Sequence, residues 1–169
     1  MYGTNDQRQK ILTFWKKEDP PSIPSPKCDP QQLPESFGNS RYFIDRVNSK
    51  PWSDAQAICK TMNAHLLEIK DDAEFDFIWR TAQQSGANRL AFHIGLFKAP
   101  GDGLPRYQGW KWVSTGEVLQ HEKYWLVWHG REPNNLHRER CGDLVYEHKK
   151  FWNGPCNYRR PFICECNEV

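Results

Sequence analysis

No stretch of the 169 residues reaches about 18 apolar positions, the length a helical membrane span needs. No apolar leader segment follows Met1 either. A large charge of one sign is also missing. The 23 Lys and Arg against 21 Asp and Glu leave +2, so the whole chain makes no electrostatic case for nucleic acid, and RNA-type aromatic motifs are absent. There is no Asn-x-Ser/Thr acceptor, so N-glycosylation is not expected. Gly-x-Ser-x-Gly, a phosphate loop, HExxH and a nucleophilic Cys–His signature are all lacking, and nothing argues for an enzyme. No Cys-x-x-Cys pair exists; only Cys164 and Cys166 are close, at a spacing wrong for a usual zinc knuckle. What remains is an even set of six cysteines in a hydrophilic, tryptophan-rich chain. That combination points to an oxidised extracellular domain, secreted or the ectodomain of a membrane protein, from which a leader or anchor has been removed.

Residues 1–27 read as separate from the rest. Gln7 to Lys17 is basic and weakly amphipathic, and Asp19 to Pro26 (DPPSIPSP) reads as an extended linker, because each proline removes a donor and fixes the chain near polyproline geometry. It is either a disordered spacer or a stalk that holds the domain off a membrane or joins copies into an oligomer. The folded part spans 28–169. Tyr42 to Ile44 is a strand candidate. Ser53 to Gln56 reads as a capping box, followed by Ala55, Ile58, Cys59 and Met62 on one helical face. Asp71 caps a second helix, with Glu74 at the third position and Phe75, Ile78, Trp79 and Ala82 repeating the spacing; Gly86 is a plausible stop. Ala91 to Phe97 reads as a strand. Residues 99–140 carry little periodicity, and long irregular loops inside a domain are commonly functional. Cys141 to Tyr146, Lys150 to Trp152 and Pro161 to Cys164 are short strands, with a turn at Glu147 to Lys149. The order gives an α+β fold with segregated helices.

Several features in sequence order carry a family resemblance. They are the strand, helix and Cys59 followed by Ala64-His65-Leu66; Phe92-His93-Ile94-Gly95-Leu96; Trp110-Lys111-Trp112; and Glu132-Pro133-Asn134 followed by Cys141, Trp152-Asn153, Cys156 and Phe162-Ile163-Cys164-Glu165. From Cys28 to Cys166 the chain resembles the C-type lectin-like domain. The second segment looks like that family's Trp-Ile-Gly-Leu core strand. The resemblance implies two helices, small antiparallel sheets and a long irregular loop. It also implies disulfides Cys59–Cys164 and Cys141–Cys156. Because such domains bring their termini together, it implies Cys28–Cys166 as well; two free thiols or a bridge to another chain are the alternatives.

The same resemblance implies a site. Calcium takes six to eight oxygen ligands, which carboxylates and amide carbonyls supply. Glu132, Asn134, Glu139 and Asn153 match calcium ligands that also bind sugar, and Pro133 would be cis. The Glu-Pro-Asn order goes with equatorial vicinal hydroxyls, as in mannose, glucose, N-acetylglucosamine or fucose. The match to Trp-Asn-Asp ends at Gly154, which keeps its carbonyl but offers no carboxylate, so calcium is held more weakly. Water, Asp143 or Glu147 could fill the gap, and restoring aspartate at 154 is expected to tighten binding. An auxiliary calcium site is absent where Asn135 and Arg140 stand. The implied partners are therefore glycans or glycoproteins.

A different reading also fits. Arg131, His137, Arg138 and Arg140 crowd the loop, and arginine forks suit sulfate and carboxylate. They admit an anionic glycan or an acidic protein surface, bound with little need of calcium by a receptor or adhesion domain. Most tryptophans read as core; Trp125 or Trp128, just upstream of the Glu-Pro-Asn triplet, is the better choice for an exposed stacking platform.

Overall fold

The computed structural model describes residues 28–84, 91–120, 128–145 and 148–168. The linker assigned to 1–27, the helix stop at Gly86, and Trp125 and Glu147 lie outside them. The elements run β1 (Glu35–Phe37), β2 (Ser40–Lys50), α1 (Trp52–Thr61), β3 (His65–Leu66), α2 (Asp72–Gln83), β4 (Ala91–Lys98), β5 (Trp110–Trp112), β6 (Glu139–Val145), β7 (Lys150–Pro155) and β8 (Arg160–Asn167). The fold is α+β, as its element order implied. The small sheets are joined into one network, β1-β2-β8-β4-β6-β7, with β3 on β8 and β5 on β4. The pairings between these strands are antiparallel except β4 with β8, which meet in a single parallel bridge between His93 and Phe162.

α1 does not start as its sequence suggests. Pro51 occupies the N-cap with no side-chain cap, and the Ser53 hydroxyl turns to Asp54. The first helical amide already has a tertiary partner: Trp52 N–H donates to the Cys156 carbonyl at 2.9 Å. A side-chain cap is therefore not needed there. Gln56, freed from capping, is buried and accepts from Leu66 N–H at 2.8 Å, tying α1 to β3. α2 does follow its cap. Asp71 accepts from Glu74 N–H at 2.8 Å, and the Glu74 carboxylate accepts from Lys70 N–H and the Tyr42 hydroxyl.

The core has two parts. Beneath α2, Phe75 and Ile78 pack with Phe92, Ile94, Leu96, Trp110, Trp128 and Phe151. Beneath α1, Ala55, Leu66 and Phe162 surround the Cys28–Cys166 and Cys59–Cys164 disulfides. The third bridge, Cys141–Cys156, joins β6 to the end of β7, so no described cysteine is free. A link spanning 105 residues, such as Cys59–Cys164, contributes about 4–5 kcal/mol in the chain-entropy account. Gly95 stands where backbones converge. Its N–H donates to Leu67 and its carbonyl accepts from Val113, and an added Cβ would lie 2.6 Å from the Leu66 carbonyl oxygen. β4 is thereby clamped between β3 and the segment that leads out of β5, which anchors the long loop.

Candidate functional site

The loop before β6 is built on main-chain turns. Glu132 N–H donates to the His129 carbonyl, while Arg138 and Glu139 N–H both donate to the carbonyl of Asn135, whose φ of 45° lies in the left-handed region that asparagine tolerates. The Glu132–Pro133 peptide is cis. Asn153, on β7, reaches into this loop. Its Oδ1 accepts from Asn134 N–H at 3.0 Å, and its Nδ2 donates to the Asn134 and Glu139 carbonyls at 2.5 and 2.8 Å. One buried amide thus holds both ends of the segment that carries the candidate ligands.

Glu132, Asn134, Glu139 and Asn153 are brought together. Asn134 Nδ2 donates to Glu132 Oε2 at 2.7 Å, and Asn135 Nδ2 approaches Glu139 Oε1 at 3.5 Å. Asn134 Oδ1 is buried without a hydrogen-bond partner among the described residues. Burial pushes the Glu132 carboxyl above the usual carboxylate range, and the charge of Glu139 pushes it further; Asn134 and Arg106 pull the other way. Two carboxylates that repel and a buried carbonyl oxygen with no donor form a set that a hard cation would satisfy. The oxygen donors are of the kind calcium takes, although no group of three or more His, Cys, Asp or Glu side chains able to hold a metal occurs among the described residues; Asn153 acts mainly as a brace.

Gly154 offers no side chain, and Asp143 does not compensate. Asp143 is fully buried, its Oδ1 2.6 Å from His93 Nδ1 and its Oδ2 2.9 Å from Arg160 Nε. It is committed to that ion cluster and does not serve the loop. His93 Nε2 faces the Tyr158 carbonyl at 3.0 Å, so both ring nitrogens point at acceptors.

Among the basic residues, Arg131, His137 and Arg138 are exposed and Arg140 is half-buried. Arg106, from the long loop, is the contributor that pattern reasoning missed; it lies close enough for its charge to act on Glu132. Trp128 is not a platform. It is 4% exposed and packs on Trp110 at 4.8 Å and edge-on to Phe151, because the segment before the loop is pulled into the core by a bridge to β7. Among the described residues, stacked His129 and His148, with Trp152 beside them, lie near the loop instead.

Residues 48–166 match the Lectin C-type domain family. The chain belongs to that family. It is 31% identical over 150 residues to human C-type lectin domain family 6 member A, covering 87% of this chain and 65% of that protein. It is 32% identical over 170 residues to human C-type lectin domain family 4 member A, covering 98% and 65%. This C-type lectin domain chain thus spans under two-thirds of the length of these relatives. A crystal structure of the C-type lectin domain of murine dendritic cell inhibitory receptor 2 in complex with N-glycan superposes with a TM-score of 0.67 at 25% identity, covering 82% of this chain and 98% of that one. Human lithostathine shares the fold, with a TM-score of 0.67 at 20% identity over 82% of this chain and 99% of that one. Membership of this family makes the chain a lectin-type binding domain and not an enzyme. No helix among the described residues is long and apolar enough to cross a membrane.

Proposed function

We propose that this C-type lectin domain binds vicinal hydroxyl pairs of glycans through calcium at Glu132, Asn134 and Glu139, outside the cell as a secreted protein or an ectodomain. Asn153 braces the loop and the Gly154 carbonyl completes the set. Calcium, when bound, supplies a positive charge that two sugar hydroxyls can share. The chain's own groups do the rest. Glu132 and Glu139 accept from the hydroxyl protons, and Asn134 Nδ2 donates to a hydroxyl oxygen. The Glu-Pro-Asn order favours equatorial pairs of the mannose, glucose, N-acetylglucosamine or fucose kind.

The buried, unpartnered Asn134 Oδ1 beside two mutually repelling carboxylates carries this proposal. A carbonyl oxygen stranded this way costs about 1–3 kcal/mol unless something fills its place. N-glycan binding by the C-type lectin domain of murine dendritic cell inhibitory receptor 2 supports the ligand class. Calorimetric titration with calcium tests it: binding at millimolar or tighter affinity that Glu132→Ala abolishes is expected, and an isotherm flat to about 10 mM, beyond the weak end of extracellular sites, would refute it.

Gly154 favours a second reading, a receptor or adhesion domain that recognises protein or anionic glycan without metal. A glycan array run with calcium and again with chelator separates the two. Signals that survive the chelator belong to the second.

A further inference from the structure

Beside the ligand loop lies a cleft of about 220 Å³. One wall is Lys98 and the turn through Gly101, Asp102 and Gly103; the other is His137, from the loop that carries candidate calcium ligands, and Arg140, at the start of β6. Gly101 and Gly103 both have φ of 67°, and a Cβ on either would meet nothing within 4 Å. The turn therefore presents main chain to open space. Lys98 is 4% exposed, and its Nζ donates to Asp102 Oδ2 at 2.5 Å and the Gln108 carbonyl at 2.6 Å. The only carboxylate among the described residues of the cleft wall is thus already neutralised. Arg140 is not. The residue is half-buried, and its guanidinium has no acceptor among the described residues. Five fixed donors with no acceptor are unusual for a partly desolvated arginine. Arg140 also sits at an irregularity in β6, where Glu139 opposes Pro155 and Cys141 opposes Gly154, so the alternation of side chains between the two sheet faces is broken there.

We infer that this cleft is an oxyanion subsite, taking a sulfate ester or carboxylate carried by a saccharide whose hydroxyl pair binds at the neighbouring loop. The volume is below the roughly 300–1,000 Å³ of a whole-ligand pocket, which suits a substituent and not a complete sugar chain. An arginine fork matches two oxygens of either group. Arg131 and Arg138 do not line it, so the recognition element is narrower than the run of basic residues suggests. The saccharide half of this inference rests on the proposed lectin function; the anion half does not.

Two titrations test it. In the first, the full chain in chelator is titrated with inorganic sulfate and followed by NMR. Saturable shifts confined to Arg140, His137, Gly101 and Gly103 are expected, lost in Arg140→Gln and weakened but kept in Arg140→Lys. Shifts scattered over exposed cations without saturation, or unchanged by Arg140→Gln, would overturn the subsite. In the second, calcium is present and N-acetylglucosamine is compared with its 6-sulfate and with glucuronic acid. One acidic sugar should bind about tenfold tighter than the neutral one, as a charge-assisted pair allows, and Arg140→Gln should bring the ratio near one. Which acid wins identifies the source of the anion; equal binding of all three overturns the pairing with sugar. If sulfate saturates the cleft but no sugar binds in calcium, the lectin proposal falls and the anion site stands.

Discussion

Asp143 Oδ2 lies 2.9 Å from the point where a Cβ on Gly154 would stand. His93 fixes the carboxylate through Oδ1, and Oδ2 lies beside the Arg160 charge without a hydrogen bond to it. Glycine at 154 is therefore matched to the ion cluster beneath it. The carboxylate missing from the Trp-Asn-Asp pattern would compete for the space that Asp143 occupies.

Gly154→Asp should therefore not simply repair the calcium site, as the sequence pattern suggests. Overpacking of this kind costs about 1–3 kcal/mol, and a second carboxylate would face Asp143. A lower melting temperature without tighter calcium binding is expected. The double variant Gly154→Asp with Asp143→Ser should recover part of the stability. A single variant as stable as the parent, with tighter calcium binding, would show that the cluster yields easily.

Lys70 is the counter-ion of Glu165, which is fully buried and 2.7 Å away. Lys70→Met should destabilise by about 1–3 kcal/mol in chemical denaturation, less than a wholly buried pair because Lys70 is half exposed. Burial works against the Lys70 charge, but the bond and charge of Glu165 outweigh it and raise its pKa. A raised lysine stabilises fully below its unfolded pKa, and that contribution fades as pH climbs through the raised value. The stability gap between parent and variant should therefore narrow only in strong alkali. A gap that closes near neutral pH would contradict the pairing.

Glu132 holds its proton to higher pH than an ordinary glutamate, through burial first and Glu139 second. Its ionised form is disfavoured in the metal-free fold, so this group adds stability below its unfolded pKa and loses it as pH rises through the raised one. Calcium requires the opposite form. Affinity measured by calorimetry should thus decline on acidification before the usual carboxylate range is reached, with protons released on binding there. Affinity constant down to pH about 4.3, the reference glutamate value, would exclude Glu132 as a ligand.

Asn153→Asp tests the brace. Its Nδ2 donates to two carbonyls, and a carboxylate in its place would set oxygen against oxygen. A loss of about 1–3 kcal/mol and weaker calcium binding are expected despite the added charge. Tighter binding would mean that this side chain serves the metal directly.

Trp128→Ala separates core from platform. Removing a buried indole costs about 3–5 kcal/mol. A large stability loss is expected, whereas a normal melting curve with weakened sugar binding would restore the stacking role.

The parts of the fold set by local chemistry were readable from sequence. Asp71 and Glu74 cap α2 through contacts within a few residues, and the cysteine and glycine positions around Gly95 and Cys141 carry enough constraint to mark the family. What was missed depends on distant partners. Ser53 lost its capping role because Cys156, about a hundred residues away in sequence, satisfies the helix start. Trp128 was misassigned because one bridge to Phe151 determines which way that segment faces. Arg106 was invisible as a site residue because nothing within a loop of glycines and prolines says which charge folds back toward Glu132.

Cys28 and Cys166 form a covalent short circuit. Tension applied between the segment before Cys28 and the segment after Cys166 passes through one sulfur–sulfur bond, and the 137 residues between them bear none of it. The binding loop would keep its shape under a pull that would unzip an unbridged sheet. In a pulling experiment the chain should lengthen by the whole domain only after reductant is added.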